Sequence, residues 1–228
     1  MKLVLIRHGL TDWVGKRLPG RTPGIHLNEE GRAQAGALAR RLAALPLAAI
    51  YSSPLERALE TAQPLAASYG LKPEVREALG EVDCGEWAGR NLEDLRNESL
   101  WPVIRTCPSA ARFPEGESLR EARDRIVALL DGIRDAHVGQ MVAVVSHADP
   151  IRLAVAHYSG IALDLFQRLV ISPASVTAFE LSDLGPRLIC LNCTEDLTTI
   201  LLTDRHPPLS GHNQVSEPSL GRDELGRP

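Results

Sequence analysis

Leu3-Val4-Leu5-Ile6-Arg7-His8-Gly9 opens the chain with a short apolar run that stops abruptly at a cation, an imidazole and a glycine. The run is too short for a core helix and contains β-branched members, so it reads as a buried strand. The same arrangement returns twice. Ala48-Ala49-Ile50-Tyr51 gives way to Ser52-Ser53-Pro54 and then Arg57, and Met141–Val145 gives way to Ser146-His147. Helical patterns separate these strands. Asn28 is a good N-cap for a helix through about Leu45, with Ala35, Leu38 and Leu42 on one face. Ser53 as N-cap and Pro54 in the first turn predict a second helix to about Tyr69. From Ser118 a long helix places Leu119, Ala122, Ile126, Leu129 and Ile133 on one stripe, and Pro150 to Tyr158 reads as another helix. Gly85 and Gly89 mark an irregular segment, and Pro102 to Pro114 reads as loop. Val176–Leu181 and Arg187–Asn192, split by Asp183-Leu184-Gly185-Pro186, read as a terminal hairpin. Strand–helix alternation of this kind predicts an α/β three-layer sandwich: a mostly parallel sheet, helices on both faces and a C-terminal hairpin strand.

The composition is that of an ordinary globular chain. Of 228 residues, 44% are apolar and 24% charged, with a formal net charge of −4. Mild acidity argues against nucleic-acid or membrane-surface partners. It leaves room for a small anionic substrate held by local arginines. No apolar run reaches membrane-spanning length, and Arg7-His8 cuts the N-terminal run short of a signal peptide, so a cytoplasmic location is expected. Cys84, Cys107, Cys190 and Cys193 are too scattered for a disulfide scaffold. The single Cys190-Leu-Asn-Cys193 pair has no second pair to complete a zinc site, so a plain strand is expected there. Residues 1–203 are read as one catalytic domain. Residues 204–228, with four prolines and no periodicity, are read as a disordered tail. A homodimer is left open.

The strand ends carry the chemistry. Arg7-His8, Ser52-Ser53 with Arg57, and Ser146-His147 each follow the C-terminal end of a strand, the edge where ligands bind in an open α/β sheet. Two histidines and two arginines, distant in sequence, therefore converge on one rim. Arginines fork phosphate or carboxylate oxygens. A neutral imidazole is a competent nucleophile, and neighbouring guanidinium groups keep it neutral. Phosphoryl transfer needs mainly positioning and charge neutralisation, which these groups supply without metal or cofactor.

Four motifs then resemble one family. Leu5-Ile6-Arg7-His8-Gly9-Leu10-Thr11 is similar to the RHGxT signature of the histidine phosphatase superfamily, the phosphoglycerate mutase-like proteins. Ser52-Ser53-Pro54-Leu55-Glu56-Arg57-Ala58-Leu59-Glu60-Thr61-Ala62 is similar to its second motif, Glu81-Val82-Asp83-Cys84-Gly85-Glu86-Trp87-Ala88-Gly89 to its acid-bearing segment, and Val145-Ser146-His147 with Ile151-Arg152 to its last motif. The match runs from residue 1 to about 195. The resemblance implies that His8 attacks phosphorus and becomes phosphohistidine. It implies that Arg7, Arg57 and His147 hold the phosphoryl oxygens, and that Glu81 rather than Asp83 or Glu86 protonates the leaving oxygen. Arg21 and Asp149 are the further candidates for contact with the substrate. The implied activity is a metal-independent phosphomonoesterase acting on a small phosphorylated substrate. The family's other activity, phosphomutase transfer, goes with a longer insertion between the acid and the second histidine than Glu81 to His147 provides.

The chain departs from the pattern at three places. Val14 stands where many relatives have Asn, Ala148 where a Gly usually follows the second histidine, and Asp149 puts a carboxylate beside a phosphate site. These departures leave room for a non-catalytic phosphate-binding protein. A metallohydrolase built on His147 and Asp149 is disfavoured, because no HxxxH or HExxH pair occurs. His26, His137 and His157 are expected to be solvent or packing histidines. Trp13 and Trp87 suit either the pocket wall or the core. Glu115-Gly116-Glu117-Ser118 reads as a helix start capped by Ser118.

Overall fold

The computed structural model describes residues 1–202. The expected boundary at 203 and the tail over 204–228 lie outside the described residues. Six strands form one sheet in the order β3-β2-β4-β1-β5-β6. These are β1 (Lys2–Arg7), β2 (Leu47–Ser52), β3 (Glu74–Val75), β4 (Met141–Ser146), β5 (Val176–Ser182) and β6 (Gly185–Cys193). β1, β2, β3 and β4 pair in parallel, whereas β5 runs antiparallel to β1 and closes a hairpin with β6.

Strand periodicity divides the core into two layers. Leu3 and Leu5 of β1 and Val142 and Val144 of β4 face one side, where they pack with α5 (Leu119–Ala136) and α6 (Ala148–Tyr158). Val4, Ile6, Ala143 and Val145 face the other side, against α1 (Glu29–Leu42) and α2 (Glu56–Ser68). Both faces of the central strands are therefore apolar, as a sheet covered on both sides requires. The expected three-layer sandwich is present.

Two helices start where the sequence places them. Asn28 accepts a hydrogen bond from Gly31 N and opens α1, which ends at Leu42 rather than Leu45. Ser118 and Glu121 form a capping box at the start of α5, whose buried face adds Val127 and Leu130 while Leu129 is only partly buried.

Other boundaries differ from expectation, each for a local reason. α2 starts at Glu56 with Leu55 as its N-cap residue. Ser53 lies ahead of the helix, where its hydroxyl accepts from Leu55 N at 3.3 Å and also meets His147 Nε2 at 2.8 Å. α6 begins at Ala148, so Pro150 sits in the first turn, where its missing N–H breaks no helical bond. The stretch read as loop from Pro102 contains α4 (Leu100–Thr106) and a 3-10 turn over Pro108–Ala110. Pro102 is tolerated there for the same first-turn reason. α3 (Leu92–Leu95) and α7 (Thr198–Leu202) are short additions. The two residues of β3 are both exposed and had no apolar run to announce them.

The loop after β1 lies directly on the start of α1. Asn28 N donates to Leu10 O, and Leu10 N donates to Gln34 Oε1. A Cβ on Gly31 would stand 2.0 Å from Leu10 O, a backbone atom that cannot swing aside. Gly-to-Ala changes inside helices usually stabilise by about 1 kcal/mol. Gly31→Ala is expected to do the opposite, lowering stability by about 1–3 kcal/mol through overpacking. Urea unfolding checks this. A gain in stability would show that the loop can move away from the helix.

Candidate active site

Parallel pairing of β1 and β4 sets Arg7 opposite Ser146, so the next residues, His8 and His147, emerge side by side. His8 N donates to Ser146 O at 3.0 Å, and the two imidazoles lie 5.2 Å apart between ring centroids. Both rings are buried, His8 at 2% and His147 at 0% exposure. His8 Nδ1 is 2.7 Å from Gly9 O. A carbonyl only accepts, so Nδ1 carries the hydrogen, and in the neutral ring Nε2 keeps its lone pair. Burial holds His8 well below the ordinary histidine value, aided by the charges of Arg57 and Arg7 and opposed by Gly9 O. His147 is depressed in the same direction by burial, then by Arg57, His8 and Arg7.

The arginines come from two elements. Arg57 lies in the first turn of α2, is fully buried, and donates from Nη2 to Gly20 O at 2.8 Å. Arg7 closes β1 and donates from Nη1 to Ile171 O at 2.6 Å. The remaining hydrogen-bonding capacity is unspent: Arg7 Nε, Arg57 Nε and Nη1, and His147 Nδ1 are buried and have no partner among the described residues. Buried polar groups left unpaired cost free energy, and here they cluster around one imidazole. Thr61 links the parts. It accepts from Gly9 N and donates to Arg57 O.

Glu81 is 8% exposed, and its Oε1 accepts from Val82 N at 2.8 Å. Burial pushes its carboxyl up to about 7, and the charge of Asp149 adds to the rise; the Val82 N–H, Arg57 and Arg7 oppose it. Its sequence neighbours are less suited, since Glu86 is exposed and Asp83 is engaged by Gly85 N. Asp149 stands in the first turn of α6, and its Oδ1 pairs with Arg152 Nη1 at 2.8 Å. The carboxylate that looked awkward beside a phosphate site thus has a cation of its own. Arg21 is engaged with the Glu81 segment: its Nε donates to Glu81 O at 2.9 Å and its Nη2 pairs with Glu117 at 3.2 Å.

All seven residues singled out from the sequence are thereby accounted for. The side chains of Arg7, His8, Arg57, Glu81, His147 and Asp149 influence one another electrostatically, while Arg21 contacts the backbone of Glu81. Sequence reasoning missed Ser53 as a partner of His147, having read it as a helix cap. It also missed Glu117 and Arg125, whose partners are described below. Trp87 proves to be core, stacked on Trp101 and edge-on to Phe113. Trp13 carries Arg17 over its ring. His26 pairs with Glu60, His137 with Tyr51 and Gln140, and His157 packs on Tyr158. Among the described residues no group of three or more His, Cys, Asp or Glu could hold a metal ion, and no helix is long and apolar enough to cross a membrane.

Comparison with known proteins places this arrangement in a family. The model of the histidine phosphatase superfamily (branch 1) matches residues 3–194. Phosphoserine phosphatase 1 of Hydrogenobacter thermophilus is 31% identical over 199 residues, spanning 85% of this chain and 93% of that protein. Phosphoglycerate mutase-like protein 4 of Arabidopsis thaliana is 34% identical over 163 residues, spanning 66% and 68%. Among solved structures, the phosphoserine phosphatase of Entamoeba histolytica in complex with 3-phosphoglyceric acid superposes with a TM-score of 0.78 at 27% identity, covering 86% of this chain and 98% of that one. With its sheet, its paired histidines and its match over nearly the whole length, the chain belongs to the histidine phosphatase superfamily, branch 1.

Proposed function

We propose that the chain is a phosphomonoesterase that works through a phosphohistidine on His8, with Glu81 as the proton donor. The observation that carries this reading is the set of four unpaired buried nitrogens on Arg7, Arg57 and His147 around an imidazole held neutral. That set suits the equatorial oxygens of a phosphoryl group, whose charge the guanidinium groups neutralise without a metal ion.

In the first step His8 Nε2 attacks phosphorus in line. The P–O ester bond breaks, its electron pair stays on the leaving oxygen, and the Glu81 carboxyl gives that oxygen its proton. In the second step water attacks phosphorus, the P–N bond breaks, and the water's proton passes to the Glu81 carboxylate as inorganic phosphate forms. The proposed acceptor is water, because the stretch between Glu81 and His147 lacks the longer insertion that goes with mutase transfer, and α5 takes 18 residues of it. The mutase-like relative supports the second reading, transfer to a hydroxyl. Phosphate release that keeps pace with alcohol release favours hydrolysis, whereas a phosphorylated acceptor as product favours transfer. The names of the phosphoserine phosphatase relatives make phosphoserine the first ester to assay, and a chelator is expected to leave turnover unchanged.

Glu81 sets the expected pH dependence. The acid form is needed for the first step, and it is lost as pH rises through about 7. With an alkyl phosphate, kcat/KM is expected to fall on the alkaline side of that value. Glu81→Gln is expected to remove that limb and to lower kcat/KM by about 10²–10⁴-fold with the alkyl ester, and far less with 2,4-dinitrophenyl phosphate, whose leaving group needs no proton. An unchanged alkaline limb in Glu81→Gln would remove Glu81 from the mechanism. The same shift has a consequence for folding. Between 4.5 and about 7 the folded chain keeps a proton that the unfolded chain has lost, so this group makes stability fall as pH rises through that window.

A further inference from the structure

The segment that delivers Glu81 is not part of the sheet, and only a single 3-10 turn over Glu77–Leu79 orders it locally. Its backbone is held from outside. The carbonyls of Ala78, Leu79, Gly80 and Glu81 each accept a hydrogen bond from a side chain. Ser146, next to His147, supplies one of them, donating to Leu79 O at 2.7 Å. Arg125 of α5 supplies three: Nη1 donates to Ala78 O at 2.7 Å and Gly80 O at 3.1 Å, and Nη2 donates to Glu81 O at 3.4 Å. Arg21 Nε also donates to Glu81 O.

Glu117 fixes the guanidinium that does this. Its two oxygens take Arg125 Nη2 at 2.5 Å and Arg125 Nε at 3.1 Å, and the pair is mostly buried at 14% and 19% side-chain exposure. Glu117 Oε1 also accepts from Asp83 N at 2.9 Å, so the same carboxylate grips the segment just beyond Glu81. The backbones meet there as well. Glu117 N donates to Asp83 O and Glu86 N to Pro114 O, with Gly85 at φ +47° so close that a Cβ would stand 1.9 Å from Pro114 O. A planar five-donor fork can bond a carboxylate on one edge and several carbonyls on the other; an ammonium cannot.

We propose that Glu117 and Arg125 are positioning residues for the proton donor: together they hold the backbone from Ala78 to Asp83, and so the Glu81 carboxyl, at the place where the leaving oxygen departs. This rests on the function proposed above. The bonds of both residues to this segment all end on its backbone, so the role assigned to them is to place Glu81. Their removal affects the step that needs an acid and spares the attack by His8.

The test separates these steps by leaving group. Arg125→Lys keeps a cation for Glu117 but cannot span the carbonyls, and Glu117→Gln keeps the shape but frees the guanidinium. Each is assayed with an alkyl phosphate and with 2,4-dinitrophenyl phosphate, beside the wild-type protein. A misplacement of the acid of about 1 Å is expected to lower kcat/KM for the alkyl ester by about 10–100-fold while kcat/KM for the dinitrophenyl ester changes by less than about threefold. Equal losses with both esters, or no loss with either, overturn the proposal. Where a single change unfolds the chain by circular dichroism, the double variant Glu117→Gln/Arg125→Met, which leaves no unpaired buried charge, is judged by the same split. A wild-type chain that hydrolyses neither ester overturns the proposed function and this inference together. A wild type that hydrolyses both, with variants that lose both equally, overturns this inference alone.

Discussion

His8→Ala is expected to lower turnover of an aryl phosphate by at least about 10⁴-fold, the largest effect expected of any single change, because it removes the atom proposed to form the bond to phosphorus. The imidazole is the only nucleophile in the site whose readiness is built in. Nδ1–H is fixed by Gly9 O, which leaves the Nε2 lone pair free to attack, and burial with Arg57 and Arg7 holds the ring well below the ordinary histidine value. His147 is a poor substitute because its Nε2 already meets Ser53 Oγ. The check is steady-state hydrolysis together with trapping. Radiolabelled ester, mixed rapidly and quenched under conditions that preserve phosphohistidine, should leave label on the peptide containing His8 in the wild type and none in His8→Ala. Turnover in His8→Ala above about one hundredth of wild type, or label on the His147 peptide instead, would reassign the nucleophile.

Arg57→Met is the second large effect, and its two consequences point in opposite directions. Arg57 is fully buried, makes one hydrogen bond to Gly20 O, and leaves Nε and Nη1 unpaired. A contact of this kind with a phosphoryl transition state is worth about 10³–10⁵ in rate, so kcat/KM should fall by that much. Replacing this cation with an apolar side chain of similar length removes the cost of burying its unpaired nitrogens and loses one bond to Gly20 O. The thermal midpoint should therefore hold or rise while activity collapses. Arg57→Ala lacks the replacement volume and should lose both. A Met variant that loses stability as well as activity would mean that Arg57 supports the fold and not only the ligand. The expected divergence is the mark of a site whose binding groups are kept ready at the expense of stability.

Much of this was legible in the sequence because it rests on local patterns. The apolar runs at Leu3–Ile6 and Met141–Val145 gave the central strands, and their interruption by His8 and His147 placed both imidazoles at one sheet edge. Asn28 and Ser118 announced their helices through capping chemistry that acts within one turn. Other features depend on partners far away along the chain. Ser53 has the sequence context of a cap, yet its hydroxyl is turned to His147 by the parallel pairing of β2 with β4. Glu117 sits beside a genuine cap, which absorbed its meaning. Its engagement with Asp83 and Arg125 exists only once α5 packs beside the Glu81 segment. Pro102 looked like a loop marker because proline is costly in most of a helix and favoured in its first turn, and nothing nearby marked that turn as the start.

The strand order has a consequence for how such a chain is made. β1 is made before the other strands of its sheet, yet both of its neighbours lie far along the chain: β4 begins at Met141 and β5 at Val176. Until those arrive, a strand with four buried apolar residues, Leu3 to Ile6, has two open edges. Long-range pairings of this type fold slowly and leave sticky strand edges exposed meanwhile. Synthesis therefore carries an early risk and a late reward. A nascent chain halted before Met141 holds His8 without His147 and without β4 beside β1, so the two imidazoles meet only once β4 has been made and paired.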